Sequence, residues 1–171
     1  MGKGTLIRGL LERMPALELA VSATTREPRP GEEHGRDYWF LGPEEFEQRA
    51  QAGDFIEHAV YAGNRYGTLR SELERPGGGT VLEIDLQGAR QVRETLPEAV
   101  QVFIEPPSLA ALESRLRRRG SDSPEQIRER LALAPQELAA KEEFAHRVVN
   151  DDVERALSEL VELAATMCPP R

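Results

Sequence analysis

The sequence of 171 residues contains a single cysteine and no long apolar run. Cys168 alone cannot form an internal disulfide, which is compatible with a reducing compartment. Charged residues interrupt every apolar stretch near the N-terminus, and no stretch approaches the roughly 20 apolar residues of a membrane span. We therefore expect a cytoplasmic protein with no signal peptide and no association with a membrane.

Lysine and histidine are also scarce, and acidic residues outnumber basic ones. The 22 basic residues include only two lysines, Lys3 and Lys141, and they stand against 30 acidic residues, for a net charge of −8. Because a nucleic-acid-binding domain usually carries a basic excess, we expect no nucleic-acid partner. The planar guanidinium of arginine instead suits bidentate contacts with phosphate and carboxylate. The histidines lack metal-like spacing, and we interpret them as surface or packing residues: His34, His58 and His146.

Apolar periodicity and turn residues predict a single α/β domain. From residue 80 onward the predicted strands and helices alternate, which is typical of a parallel, doubly wound sheet. Residues 22–79 contain several short strands in succession, which we interpret as a small, mostly β lobe inserted into a core of residues 1–21 and 80–171. A helix is predicted after Pro124, with a kink or break near residues 131–135, because Pro135 has no backbone N–H.

A sequence typical of phosphate binding precedes the first predicted helix. Gly2-Lys3-Gly4-Thr5 resembles the last part of the phosphate-binding pattern G-x-x-x-x-G-K-[ST]. In such a loop the backbone N–H groups and the helix N-terminus surround phosphate, and the lysine reaches the transferred phosphoryl group. We therefore consider Gly2, Lys3, Gly4 and Thr5 as candidates for ATP binding, and Lys3 also as a catalytic candidate.

Two arginines in a proline-stiffened segment form a second candidate phosphate site. Arg26 and Arg29 are three residues apart, and such a pair can hold one phosphate through several charge-assisted hydrogen bonds. Further hydroxyls and a carboxylate follow at Tyr38, Glu57, Tyr66 and Thr68. A carboxylate accepts hydrogen bonds from guanine N1–H and its exocyclic amine, whereas adenine presents an acceptor at N1. A site with this carboxylate would therefore reject adenine.

In order and spacing, these segments resemble the GMP-binding lobe of guanylate kinases. The matching segments are Ser22–Arg29, Gly35–Tyr38, Phe55–Glu57 and Asn64–Thr68, together with an acidic turn at Ile84–Gly88 and an adenine-side motif at Val149–Asp152. The resemblance covers essentially the whole chain. It implies a P-loop kinase fold, in which helices flank a parallel sheet and a helical lid accompanies the inserted GMP-binding lobe. It also implies phosphoryl transfer from ATP, with Mg²⁺, to GMP and dGMP.

The resemblance further implies roles for individual residues. The GMP phosphate would be held by Arg26, Arg29, Tyr38 and Tyr66, and guanine would be recognised by Ser22, Glu57, Thr68 and Asp85. A lid at about residues 115–130 would bring arginines onto the ATP phosphates, so the catalytic candidates besides Lys3 are Arg115, Arg119 and Arg130. Asn150 would lie near the adenine, and the hydroxyl of Thr5 would bind Mg²⁺.

The sequence departs from the family pattern at its start. Family members carry a strand and a glycine-rich turn before the position of Gly2, and neither precedes it here. We therefore expect a chain that is truncated or whose start is misassigned.

Two alternatives to a GMP kinase stay open. The missing loop favours a guanylate-kinase-like module that binds protein partners without catalysis, and a related kinase could act on a sugar phosphate. The joint presence of Lys3, Arg26 and Glu57 favours the enzyme, with GMP and ATP as its small-molecule partners. The sequence does not define the oligomeric state.

Overall fold

The computed structural model describes residues 2–61, 63–75, 77–119 and 123–167. In chain order the elements are α1 (Lys3–Arg13), β1 (Leu17–Leu19), β2 (Ser22–Thr24), β3 (Trp39–Phe40), α2 (Pro43–Ala52), β4 (Phe55–Tyr61), β5 (Asn64–Leu69), β6 (Gly79–Val81), α3 (Leu86–Thr95), β7 (Val102–Glu105), α4 (Leu109–Arg119), α5 (Pro124–Ala139), β8 (His146–Val149) and α6 (Val153–Met167). Among the described residues, no helix is long and apolar enough to cross a bilayer. Cys168 lies outside the described residues.

The chain divides into two compact units. The described residues of 1–15 and 100–171 form one, here called the terminal unit, and those of 16–99 form the other, called the central unit. The predicted lobe of residues 22–79 lies entirely within the central unit, and the exact boundaries of core and lobe stay a prediction.

Parallel strand pairs occur in both units. In the central unit β1 pairs with β6, with Leu17 opposite Gly79, and in the terminal unit β7 pairs with β8, with Val102 opposite His146. These pairs, together with the six helices of the described chain, confirm the predicted α/β class.

In the terminal unit, α1 packs closely against α6. Leu6 and Leu10 lie four residues apart on α1 and are both buried, which accounts for the amphipathic helix. The helices approach at Gly9, where a Cβ atom would lie 2.5 Å from a methyl carbon of Leu157. Glycine at this position therefore permits the close contact.

The helix α5 extends farther than the sequence predicts. Ser123 and Gln126 form a capping box at its N-terminus, and Pro124 occupies the first turn, where proline is tolerated. The helix continues past Pro135 to Ala139, so a break near residues 131–135 is wrong, while a kink there stays a prediction. The physical reason is tertiary packing: apolar side chains of α5 up to Ala134, the residue immediately before Pro135, pack in one cluster with α4, made of Leu112, Leu116, Ile127, Leu131 and Ala134.

In the central unit, a four-stranded sheet has the order β3-β2-β5-β4. One face packs on α2 through Phe46 and Phe55, whose rings stack with centroids 4.5 Å apart. Both side chains are buried, and Trp39 packs against the same cluster. This cluster fixes β4, the strand that carries the buried Glu57.

A buried carboxylate also joins three segments of the central unit. Glu72, in the 3₁₀ turn Arg70–Glu74, accepts hydrogen bonds from the backbone N–H of Val21 at 2.7 Å and from Trp39 Nε1 at 3.0 Å. Arg75 supplies a countercharge at 3.0 Å. Because a buried carboxylate without partners is unfavourable, these contacts fix the chain immediately before β2 and at the start of β3.

Candidate functional site

Neighbouring strands of the central sheet bring together three residues predicted to recognise guanine. In the strand register Thr68 of β5 lies opposite Ser22 of β2 on one side and opposite Glu57 of β4 on the other. Thr68 Oγ1 donates a hydrogen bond of 2.7 Å to Glu57 Oε1. Thr68 is 1% exposed and Glu57 is 5% exposed, so this carboxylate lies in a largely desolvated position.

Burial governs the ionisation of this carboxylate. It raises the pKa of Glu57, the hydrogen bond from Thr68 opposes the rise, and the nearby charge of Asp85 adds to it. A carboxylate offers about four acceptor positions, so the bond from Thr68 leaves capacity for further donors. The Glu57 carboxylate can therefore accept hydrogen bonds from a group with several donors, and these bonds would be strongest when the carboxylate is ionised.

The first turn of α3 completes the surroundings of Glu57. Asp85 is the N-cap of this helix, and its Oδ1 accepts a hydrogen bond of 2.8 Å from the backbone N–H of Gly88. A Cβ atom on Gly88 would lie 2.5 Å from Glu57 Oε2, so only glycine leaves room for the carboxylate. A helix N-terminus also favours a negative charge. Sequence reasoning included Gly88 in a motif but missed this function, which depends on a contact distant in sequence.

Three residues predicted to hold phosphate come together in the same unit. The Arg26 guanidinium lies 5.2 Å from the ring centroid of Tyr38, and the Tyr38 ring lies 6.2 Å from that of Tyr66. Burial, and next the neighbouring Tyr66, raise the pKa of Tyr38, so its hydroxyl stays protonated and can donate. Two tyrosine hydroxyls and a guanidinium therefore provide donors suited to an anion.

The carboxylate of Glu32 was missed by the sequence analysis. Arg26 Nη2 donates to both Glu32 oxygens, at 2.9 and 2.8 Å, and Arg26 Nη1 donates to the backbone oxygen of Glu27 at 2.6 Å. Arg29, the other predicted phosphate ligand, donates its backbone N–H to Glu32 at 2.8 Å. The signal that could have revealed Glu32 is an acidic residue closely following the arginine pair and preceded by glycine.

The predicted ATP-binding residues begin helix α1 in the terminal unit. Gly2 is the N-cap in the left-handed conformation, with φ of 81°, and Lys3, Gly4 and Thr5 form the first turn. The first N–H groups of a helix have no intrahelical acceptor and point toward a bound anion. Gly4 follows Lys3 directly, so the hydroxyl predicted to bind metal lies one residue farther along, at Thr5.

Two more predicted residues lie beside Gly2. Asn150, at the end of β8, is 2% exposed, and its backbone oxygen accepts a hydrogen bond of 2.9 Å from Arg115 Nη2. Arg115 Nη1 is buried without a hydrogen-bond partner among the described residues. A Cβ atom on Gly2 would lie 2.6 Å from Asn150 Nδ2 and 3.8 Å from Arg115 Nη1. A buried cationic donor beside a helix N-terminus fits a phosphate group.

The remaining lid residues stay predictions. Arg119 is the last residue of α4, and its side chain lies outside the described part of the chain. Residues 120–122, in the predicted lid, also lie outside it. Arg130 lies on α5 and is half-buried.

The buried carboxylate, the grouped donors and the helix N-terminus described above are features of a nucleotide-binding α/β protein. A family model described as "Guanylate kinase" matches residues 1–166. The chain is 54% identical to the guanylate kinase of Thermosynechococcus vestitus, over 92% of this chain and 84% of that protein. It is 50% identical to that of Rubrobacter xylanophilus, over 95% and 86%. A crystal structure of guanylate kinase from Anaplasma phagocytophilum matches with a TM-score of 0.79 and 34% identity, over 98% of this chain and 82% of that one.

The chain therefore belongs to the guanylate kinase family, and the resemblance inferred from its motifs is confirmed.

Proposed function

We propose that this protein transfers the γ-phosphoryl group of ATP to GMP, giving ADP and GDP. The observation that carries the proposal is the buried Glu57 carboxylate, which accepts a hydrogen bond from Thr68, with Ser22 opposite Thr68 on the next strand. Guanine offers this carboxylate two donors, N1–H and the exocyclic amine. Adenine would place an acceptor against it and leave a buried charge unpaired, which such sites reject strongly. We assign Asp85 to the same guanine site.

The acceptor phosphate is assigned to the residues around the second arginine pair. Arg26 and Arg29 would neutralise its charge, while Tyr38 and Tyr66 would donate hydrogen bonds. These contacts position a phosphate oxygen of GMP for bonding to the γ-phosphorus of ATP, while the bond from that phosphorus to the bridging oxygen of ADP breaks. The roles assigned here concern guanine and phosphate rather than the ribose 2′-hydroxyl, so dGMP is expected as a second acceptor.

The donor phosphates are assigned to the N-terminus of α1 and to the lid arginines. The first-turn N–H groups and Lys3 would hold the ATP phosphates, and Arg115 would direct its buried Nη1 toward them. Arg119 and Arg130 would stabilise charge as the lid closes and water is excluded. Asn150 is assigned to the adenine side.

The residues of the first turn also fit Mg²⁺ bound together with the nucleotide. Magnesium in kinases usually takes one or two protein oxygens plus substrate phosphates, and the exposed hydroxyl of Thr5 at the start of α1 suits this. When bound, the ion would neutralise charge on the phosphates, and Thr5 would be the side chain that holds it. Phosphoryl transfer needs mainly positioning and charge neutralisation, so no histidine base is required.

Within the part of the chain that the structure describes, no observation favours the non-catalytic interaction module. The buried Glu57 carboxylate and the buried Nη1 of Arg115 would serve no purpose in docking a protein partner. The substrates and the single cysteine support a place in cytoplasmic purine nucleotide metabolism.

The test is a coupled assay of ADP production with Mg-ATP and one acceptor at a time: GMP, dGMP, AMP, CMP or a sugar phosphate. We expect turnover with GMP and dGMP and little with AMP or CMP. Turnover with the sugar phosphate alone would replace the proposed function by the related sugar-phosphate kinase. Binding of GMP without any turnover would instead revive the interaction module.

A further inference from the structure

The Arg26 side chain is held by a carboxylate that no assigned role explains. Both oxygens of Glu32 accept hydrogen bonds from Arg26 Nη2, and the side chains are only 14% and 19% exposed. Such a shielded pair is more constrained than the exposed ion pairs elsewhere on the surface, which contribute little.

The same carboxylate also reaches the second predicted phosphate ligand. Glu32 Oε2 accepts from the backbone N–H of Arg29 at 2.8 Å, and the backbone N–H of Glu32 donates to the carbonyl of Arg29 at 3.0 Å. Gly31, with φ of 89°, supplies the left-handed turn that lets the chain fold back. Glu32 therefore closes a compact loop that contains both arginines.

We propose that Glu32 is a positioning residue for the acceptor phosphate, which fixes the guanidinium of Arg26 relative to the backbone of Arg29 before the substrate arrives. This inference rests on the proposed function, because it assumes that these arginines bind the GMP phosphate. Fixing both residues in the free protein removes much of the ordering cost that binding would otherwise carry.

The alternative is that Glu32 occupies the phosphate site and competes with GMP. The pattern of contacts favours positioning. Glu32 engages a single nitrogen of Arg26, Nη2, and it reaches Arg29 through the backbone rather than as a competing ligand for a phosphate oxygen. In addition, the Arg26 guanidinium is already placed against the Tyr38 ring while it is bound to Glu32. The ion pair with Glu32 therefore does not prevent Arg26 from lying beside Tyr38, another residue assigned to the phosphate.

The experiment measures the affinities of GMP and guanosine by calorimetry for the wild-type chain, Glu32→Gln and Glu33→Gln. Glu33 is the matched control, because it lies in the same loop and carries the same charge but pairs with the exposed Arg36. For Glu32→Gln we expect GMP to bind about tenfold more weakly, the loss of one charge-assisted contact. Guanosine, which lacks the phosphate, should bind unchanged, and Glu33→Gln should change neither affinity.

A second arm tests whether Glu32 acts through Arg26. In an Arg26→Met background, Glu32→Gln should change GMP affinity by less than about twofold, because the side chain that it positions is gone and the glutamine oxygen can still accept the backbone N–H of Arg29. A full additional loss in that background would overturn the inference. So would tighter GMP binding by Glu32→Gln, which would make Glu32 a competitor, or equal weakening of GMP and guanosine, which would indicate general damage to the unit. If the wild type binds neither ligand, the proposed function itself fails.

Discussion

The residues assigned to the acceptor nucleotide and those assigned to the donor are held in different ways. On the acceptor side, Glu57 and Thr68 lie on paired strands, buried and already bonded to each other. On the donor side, the residues assigned to the phosphates lie at a helix N-terminus and on helices, and Arg115 is anchored to a backbone oxygen. Base recognition depends on a fixed pattern of donors and acceptors, which a sheet register provides. Neutralising phosphate depends on charge, which side chains on helices can deliver.

This difference predicts two classes of kinetic effect. A change on the acceptor side should mainly raise KM for GMP, because it removes contacts made in the ground state as well as the transition state. A change in a donor-side arginine should mainly lower kcat, because the charge that it stabilises grows during phosphoryl transfer.

The largest effect is expected for Arg115→Met. Loss of an arginine that stabilises phosphoryl-transfer charge should lower kcat by about a thousandfold, with little change in KM for GMP. A modest fall in Tm is also expected, because the variant loses the hydrogen bond from Arg115 Nη2 to the backbone oxygen of Asn150. Steady-state kinetics and a thermal melt measure both. Arg117→Met is the matched control, because Arg117 lies on the same helix, is 62% exposed and pairs with Glu113. Equal losses in both variants would contradict the assignment.

Glu57→Gln should raise KM for GMP by about a hundredfold, because the amide offers guanine one acceptor and one mismatched donor. The assay is the same coupled reaction with GMP varied. An unchanged KM would remove Glu57 from the guanine site.

The same substitution should stabilise the free protein at neutral pH. The pKa of Glu57 is raised in the folded chain, so its ionised form is less favourable there than in the unfolded chain. Ionisation of Glu57 therefore lowers the free energy of unfolding as pH rises, and protonation restores it as pH falls. Glutamine removes that unfavourable charge and can still accept the Thr68 hydrogen bond. A higher Tm together with a higher KM would separate function from folding.

A smaller change is expected for Gly88→Ala. The added Cβ would meet Glu57 Oε2 at 2.5 Å and push the carboxylate away from guanine, which should raise KM for GMP about tenfold. Gly42→Ala is the control, because a Cβ there meets nothing within 4 Å and its φ of −64° suits any residue. If both glycine variants behave like the wild type, the carboxylate has room that the structure does not show.

The mildest test uses pH alone. Guanosine affinity should fall on acidification through a pKa above the usual range of glutamate, because the ionised Glu57 is the form that accepts both guanine donors. Guanosine is chosen because the phosphate of GMP titrates near the same range. In Glu57→Gln this pH dependence should disappear, and its persistence would assign the titration to another group.

Much of the fold could be predicted because its signals are local. The Ser123-Pro124 start of α5 and the buried aromatic pair Phe46 and Phe55 depend on nearby sequence or simple apolarity. The continuation of α5 past Pro135 could not be predicted, because the cluster that supports it includes Leu112 and Leu116 of another helix. Local propensity loses to tertiary packing in such cases.

The candidate site also contains residues that the sequence predicted and residues that it did not. Glu57, Arg26 and Arg115 were predicted because their chemistry and spacing match a known family. Gly88 and Glu32 were missed because they act on other site residues rather than on a ligand, and the strand register or the turn at Gly31 places them there. Residues that shape or hold a site carry no distinctive chemistry of their own in a single sequence.

The hydrogen bond from the Trp39 indole to the buried Glu72 has a spectroscopic consequence. Trp39 is the one tryptophan of the chain, and it lies in the central unit. Its emission therefore reports the environment of that unit alone, whereas circular dichroism samples the helices of both. During chemical denaturation, coincident transitions by the two signals would mark cooperative unfolding, and an early loss of ellipticity under constant fluorescence would mark a terminal unit that melts first.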